Sequence, residues 1–389
     1  MTRILLFTGK GGVGKTTAAA ATAVRAARSG LKTLVVSTDT AHSLADALGV
    51  TAAAEPAEVE PCLYLHQVDA QRSLERQWGE LRDYARGVFA ELGLDEVTAE
   101  EITVLPGAEE VIALLELREQ AGTGSWDVIV VDCAPTAETL RLLALPEALD
   151  WHVNRLLPVG RRLLRTLSPL VRRVAMVSVP DDRVVGAGER LHRALMEVRA
   201  LLTGPDASVR LVLTPEAVVL AEARRTLTSL SLYGYRVDAA VANRVFPSEG
   251  ADPWRERWVA AQSRHLAEVA ESFAPLPVHT VPYLEAEPVG PDALARVAEA
   301  MYGGADPFAP PAGEPPLRIT ADGELVLALP LADKGAVDLA RKGDELIVTV
   351  GPYRRVLALP AALARRSVRD AALSDGRLRV RFQSGGPDD

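Results

Sequence analysis

The densest chemistry in this chain lies near its start. Gly9-x4-Gly14-Lys15-Thr16 has the spacing GxxxxGK[ST], and TAAAATAVRAAR after it reads as a helix stopped near Gly30. Glycines in such a loop let backbone N–H groups converge on phosphate oxygens, and the following helix N-terminus adds partial positive charge. Lys15 is then placed to reach β- and γ-phosphates and Thr16 to offer a hydroxyl to Mg²⁺, with Gly11, Gly12, Val13 and Thr17 completing the cradle. Two carboxylates fit the same chemistry. Asp132 ends VIVVD, where it can hold the Mg²⁺ shell or simply cap a turn. Asp39 ends KTLVVSTD, where it can orient an attacking water or cap the helix that follows. His42, beside it, reads as a structural hydrogen-bonder. Lys10 is left over, since one lysine suffices for a phosphate loop; the chain holds only five lysines and two of them stand here, which points to a need for a compact ammonium.

These residues need elements to hold them. Apolar runs at 3–8, 32–39, 63–69, 126–132, 209–214, 237–243 and 276–283 read as buried strands, and helical periodicity fills most of the segments between. That alternation predicts an α/β domain, a mostly parallel sheet covered by helices on both faces, with ligands at the carboxyl ends of its strands. Residues 71–121 and 146–205 read as helical insertions too long for ordinary connections. Prolines and glycines crowd GGADPFAPPAGEPP (303–316), a linker composition. Beyond it, period-2 runs with Asp322-Gly323 and Asp375-Gly376 turns predict a small all-β domain over 317–384, after an α/β domain over 1–302.

Bulk properties exclude several classes. At 389 residues with 48% hydrophobic and 24% charged content, this is a composition of an ordinary globular protein. No run approaches the ~18 apolar residues of a membrane span, and no leader pattern opens the chain, so the expected compartment is the cytoplasm. A net charge of −9 argues against nucleic acid as a partner. Cys62 and Cys133 match no zinc spacing.

GKGGVGKTT, STDTAHSLADAL and VVDCAPTAETLRLLALP resemble, in order, the phosphate loop, first switch and second switch of the arsenical-pump and tail-anchored-protein-targeting ATPase family, a branch of the deviant Walker A P-loop NTPases. LPGAEEVIALLEL, TPEAVVLAEARRTLTSL, VANRVF and VPYLEAEPVGPDAL are similar to further family segments, so the likeness spans about residues 1 to 303. It implies an Mg²⁺-dependent ATP hydrolase that works as a homodimer. Lys10 then takes the role of the signature lysine that crosses to the other subunit's nucleotide, Asp39 that of the water-positioning acid, and Asp132, Pro135 and Thr136 that of the second switch. Asn243 matches the adenine-reading asparagine, with Pro282 and its neighbours closing over the base. Thr40 replaces the usual proline, and Ala137-Glu138 replace Gly-His, which bears on the hydrolysis rate.

For the coupled task, the arsenite branch uses two ATPase halves and metalloid-binding cysteines; here there is one half, and Cys133 reads as a packing residue. In RLLPVGRRLLRTLSPLVRRVAMV, Leu163, Leu164, Leu167, Leu170, Val171 and Val174 share one helix face, with six arginines in the stretch. This is either a helix packed on the sheet or a wall for a hydrophobic client helix, at the position of the targeting branch's client-binding helices; a peripheral contact with acidic headgroups is a further expectation. DELIVTVGPYRRVLALP and SVRDAALSDGRLRVRF resemble the α-crystallin (small heat-shock protein) β-sandwich. The expectation is an ATPase whose dimer closure governs a hydrophobic protein client. Two alternatives stand beside it: an anion or arsenite transport ATPase, and an ATP-binding module with little hydrolysis.

Overall fold

The computed structural model of the chain describes residues 2–38, 43–51, 55–68, 108–133 and 182–383. Its centre is an eight-stranded sheet of order β3-β4-β2-β5-β1-β6-β7-β8. The strands are β1 (Arg3–Thr8), β2 (Thr33–Ser37), β3 (Ala57–Glu60), β4 (Leu63–Gln67), β5 (Val128–Asp132), β6 (Ala207–Leu213), β7 (Val237–Val245) and β8 (Val278–Pro282). All neighbours pair parallel except β3, an antiparallel edge strand on β4. The central strands RILLFT, TLVVS, VIVVD and ASVRLVL are buried along their whole length, as strands covered on both faces must be.

Helix α1 (Lys15–Arg28) follows β1 and α2 (Ser43–Leu48) follows β2. Helices α3 (Ala108–Gly122) and α4 (Asp182–Leu202) are the described parts of the two long insertions, and they pack on each other. Then come α5 (Ala217–Tyr233), α6 (Pro253–Phe273) and α7 (Pro291–Tyr302). The chain leaves β1 toward β2 in one direction and β6 toward β7 and β8 in the other; right-handed crossovers therefore put α1 on one face and α5 and α6 on the opposite one. The order reverses at β1, so a crevice opens at its carboxyl end, where the phosphate loop begins. Helix α1 lies close on the sheet because alanine is its main buried residue, and α7 packs beside it.

Residues 317–382 form antiparallel sheets. β9 (Leu317–Ile319), β10 (Leu325–Ala328), β14 (Val368–Ser374) and β15 (Arg377–Phe382) make one, in the order β14-β15-β10-β9. β11 (Val337–Lys342), β12 (Glu345–Val350) and β13 (Tyr353–Ala358) make the other, and a short helix α8 (Ala361–Ala364) follows β13. Alternating residues of both sheets, among them Leu325, Leu327, Leu346, Val348, Leu378 and Val380, fill a second apolar core.

That second core is not closed on itself, because Leu232 of α5 is fully buried within it. Around Leu232, Thr228 Oγ1 donates to the Pro330 carbonyl, Tyr233 OH donates to the Arg354 carbonyl at 3.3 Å, and the buried Arg355 guanidinium donates to the Leu232 carbonyl. The proline-rich segment is held too. Arg25 donates to the Gly303 carbonyl at 3.0 Å, Arg210 to the Pro307 carbonyl, and Arg236 to the Gly313 carbonyl at 3.2 Å.

Arg210 belongs to a buried charge cluster at one end of the sheet. Asp238 accepts from Arg3 at 2.9 Å, from Ser208 at 2.7 Å and from Arg210 at 3.2 Å, while Arg210 also reaches Tyr302 OH at 2.9 Å. Burial lowers the Arg3 pKa against the pull of Asp238. At Arg210 burial acts the same way and is outweighed by Tyr302 and Asp238, which leaves its pKa raised.

Candidate functional site

The phosphate loop joins β1 to α1 over the crevice. Gly9 is pressed onto β6, where a Cβ would stand 2.1 Å from the Val212 carbonyl oxygen. Gly14 has φ of 90°, and a Cβ there would stand 2.2 Å from Asn243 Nδ2, so two ends of the loop admit no side chain. Between them Gly11 and Gly12 are exposed, and a Cβ on either would meet nothing within 4 Å. The buried Val13 anchors the loop's middle.

The first turn of α1 carries no side-chain cap and no acid. Its amides are therefore offered to a ligand, and the dipole favours an anion. Lys15 is buried and folds back under the loop, with Nζ 3.4 Å from the Lys10 carbonyl. Thr16 Oγ1 lies 3.4 Å from Ser43 Oγ at the start of α2, so two hydroxyls from different elements converge at the helix N-terminus. Asp132, at the carboxyl end of β5, stands in register with Phe7 of β1 and Ser37 of β2, and is buried. Bare amides, an ammonium, paired hydroxyls and a carboxylate at one strand end are a donor set suited to a nucleoside triphosphate with its Mg²⁺.

Lys10 takes the other direction. Its side chain is 40% exposed, with Nζ 3.8 Å from Glu222 Oε2 of α5. The two lysines of the loop thus occupy different spaces.

The candidate base-binding residues lie near the ends of the neighbouring strands β7 and β8. Asn243 is buried near the end of β7; its Nδ2 donates to the Val13 carbonyl at 2.8 Å and its Oδ1 accepts from the Arg244 amide at 2.9 Å, which ties it to the loop. Pro282 ends β8 opposite Val245, and the next residue, Tyr283, lies parallel to Phe246 with ring centroids 5.1 Å apart. Trp254 and Trp258 extend this aromatic group along α6. Sequence reasoning named Asn243 and Pro282 with its neighbours, and did not single out Ser43, Phe246 and Glu222, whose contacts join distant segments.

Cys133 is packed in the main core, and burial, reinforced by the Asp132 charge, pushes its thiol well above the ordinary range. Asp39, Thr40, Pro135, Thr136, Ala137 and Glu138 lie outside the described residues, as do Leu163, Leu164, Leu167, Leu170, Val171 and Val174. Among the described residues no helix is long and apolar enough to cross a membrane.

A parallel sheet, a glycine loop at its topological switch and an uncapped helix behind it define a P-loop NTPase. Comparison with known proteins narrows this: residues 2–303 match the family described as anion-transporting ATPase, and residues 321–382 match the HSP20-like domain found in ArsA. The chain is 36% identical to a putative arsenical pump-driving ATPase of Chlorobaculum tepidum, over 98% of this chain and 96% of that one. Putative arsenical pump-driving ATPase 1 of Aquifex aeolicus is 35% identical over 93% and 95%. Putative arsenical pump-driving ATPase 2 of the same organism is 29% identical, covering 77% of this chain and 99% of its own. The chain belongs to the ArsA-type P-loop ATPase family and carries an HSP20-like domain; it is an ATP hydrolase.

Proposed function

We propose that the protein is a homodimeric, Mg²⁺-dependent ATPase in which ATP closes two subunits and thereby controls capture and release of a hydrophobic polypeptide segment. The observation that carries this reading is the divergence of the two lysines. Lys15 is folded into its own loop and Lys10 points out of it, which suits one ammonium for the subunit's own phosphates and one for the partner's. Thr16 and Asp132 would hold Mg²⁺, which when bound neutralises charge between the β- and γ-phosphates. The α1 amides and Lys15 orient the triphosphate, Asp39 orients the attacking water, and Asn243 with Pro282 and Tyr283 receives the base. The six apolar residues between 163 and 174 serve as the client wall, and the HSP20-like domain handles the same kind of cargo.

The test separates the lysines. Lys15→Ala is expected to abolish ATP binding, whereas Lys10→Ala keeps binding within a few-fold and cuts turnover by about 100-fold or more, as removal of a charge supplied in trans does. Undiminished turnover in Lys10→Ala would sink the reading. Absence of nucleotide-dependent protection of a hydrophobic client from aggregation would remove its second half. An anion or arsenite transport role is favoured by the names of the relatives, and arsenite stimulation of ATP turnover would select it. The buried thiol of Cys133 speaks against a metalloid ligand there. Equal, negligible turnover in wild type and Asp39→Asn would instead select a binding module.

A further inference from the structure

We infer that Glu222 is a positioning residue for Lys10: in the single subunit its carboxylate holds the lysine back over α5, and dimer closure must break this pair before Lys10 can cross to the partner's phosphates. The inference rests on the reading of Lys10 as a residue acting in trans.

The geometry starts at Gly9. Its contact with the Val212 carbonyl seats the beginning of the loop directly on β6. The helix that follows β6 is α5, so the first side chain after Gly9 emerges over the early turns of that helix. Val219, Glu222 and Ala223 of α5 and Leu211 and Val212 of β6 line the same crevice as Gly9 and Lys10. Within it Lys10 Nζ and Glu222 Oε2 are 3.8 Å apart. Both remain reachable, with side chains 40% and 31% exposed.

The backbone of Glu222 is held within α5. Its own carbonyl accepts from Thr226 Oγ1 at 2.9 Å, and the same helix is clamped further along by Pro330, Arg354 and Arg355 of the HSP20-like domain. The lysine, by contrast, sits on a loop whose next two residues are exposed glycines. Of the two partners the lysine is the one that moves.

A half-exposed pair at this distance is weak, equivalent to no more than about a five-fold bias in an equilibrium. That weakness suits a releasable hold, because the phosphates of a bound nucleotide carry far more charge than one carboxylate. It also gives a reason for lysine in a chain that mostly uses arginine: an arginine could grip Glu222 with a two-pronged, better-oriented contact and would be harder to release.

The experiment is an ATP titration of dimer formation in Mg²⁺, followed by sedimentation velocity, with steady-state turnover measured on the same samples. Glu222→Gln keeps the shape and removes the charge. It is expected to lower the ATP concentration for half-maximal dimerisation about two- to five-fold and to lower KM similarly, with kcat within two-fold of wild type. In a Lys10→Gln background the same Glu222→Gln change is expected to shift nothing. A midpoint that is unchanged or raised in Glu222→Gln overturns the inference, and so does an equal shift in the Lys10→Gln background, which would make Glu222 merely structural. A wild-type protein that stays monomeric in ATP, or a Lys10→Ala variant with full turnover, overturns the trans reading as well; an unshifted Glu222→Gln in a protein that does dimerise overturns the inference alone.

Discussion

Four residues separate Lys10 from Lys15, and their side chains part because Gly9 and Gly14 fix the two ends of the loop. Gly14 is the sharper constraint, since any side chain there must adopt a left-handed backbone and displace the Asn243 amide. Gly14→Ala is expected to cost roughly 1–2 kcal/mol from the backbone conformation alone, read by urea unfolding, and to abolish ATP binding through the displaced loop. Wild-type stability with intact binding would contradict this. At this scale the phosphate loop was legible because its chemistry is written at fixed spacing in contiguous residues. The contacts of Ser43 and Glu222 with the loop were not, for each is carried there by another element. Asn243 was named through resemblance alone; its bond to the Val13 carbonyl, which ties it to the loop, is invisible in the order of residues.

Among elements, the buried strands were readable because both faces are covered and the runs are almost wholly apolar. β3 was not: AEVE is short and half-polar, and it exists as a strand by pairing with β4 at the sheet's edge. The charge cluster at one end of the sheet escaped the sequence for a similar reason, because Arg3, Arg210 and Asp238 come from three strands. Two buried guanidiniums lean on one carboxylate there, so Asp238→Asn is expected to destabilise by about 3–5 kcal/mol, measured by chemical denaturation. A loss under 1 kcal/mol would show the carbonyls and Tyr302 to be sufficient partners. Nearby, His279 of β8 meets Tyr302 edge-on, and burial, then the Arg210 charge, lower its pKa against the pull of Asp238 and a backbone contact with Met301. The unfolded chain therefore binds the proton more readily. The stabilisation from neutral His279 is complete above about pH 6.5 and is lost as pH falls through the lowered folded value. Unfolding free energies between pH 5 and 8 should fall less steeply with acid in His279→Gln than in wild type; parallel slopes would refute the assignment.

For the whole molecule, the boundary drawn at the proline-rich segment needs a different physical reading. Composition predicted a linker, and the chain does change from α/β to all-β across it, yet Arg25, Arg210 and Arg236 each hold one of its carbonyls. Composition reports what a segment does alone and is silent about what grips it. With Leu232 buried in the second core, the ATPase core and the HSP20-like domain should unfold as one unit. Calorimetry is expected to show a single transition, and two resolved transitions would contradict the shared core.

The burial of Leu232 bears on how this chain is compared with its shorter relatives. An ATPase of this family that ends near the point where this chain enters its proline-rich segment has no HSP20-like domain to cover the corresponding stretch of α5. Here the same stretch has become interior. A version cut at residue 303 would therefore not be the free ATPase: it would carry a newly bared apolar strip, and self-association through that strip would be confused with the nucleotide-controlled dimerisation proposed above. Polar replacements at Leu232 and Tyr233 are the price of a fair comparison.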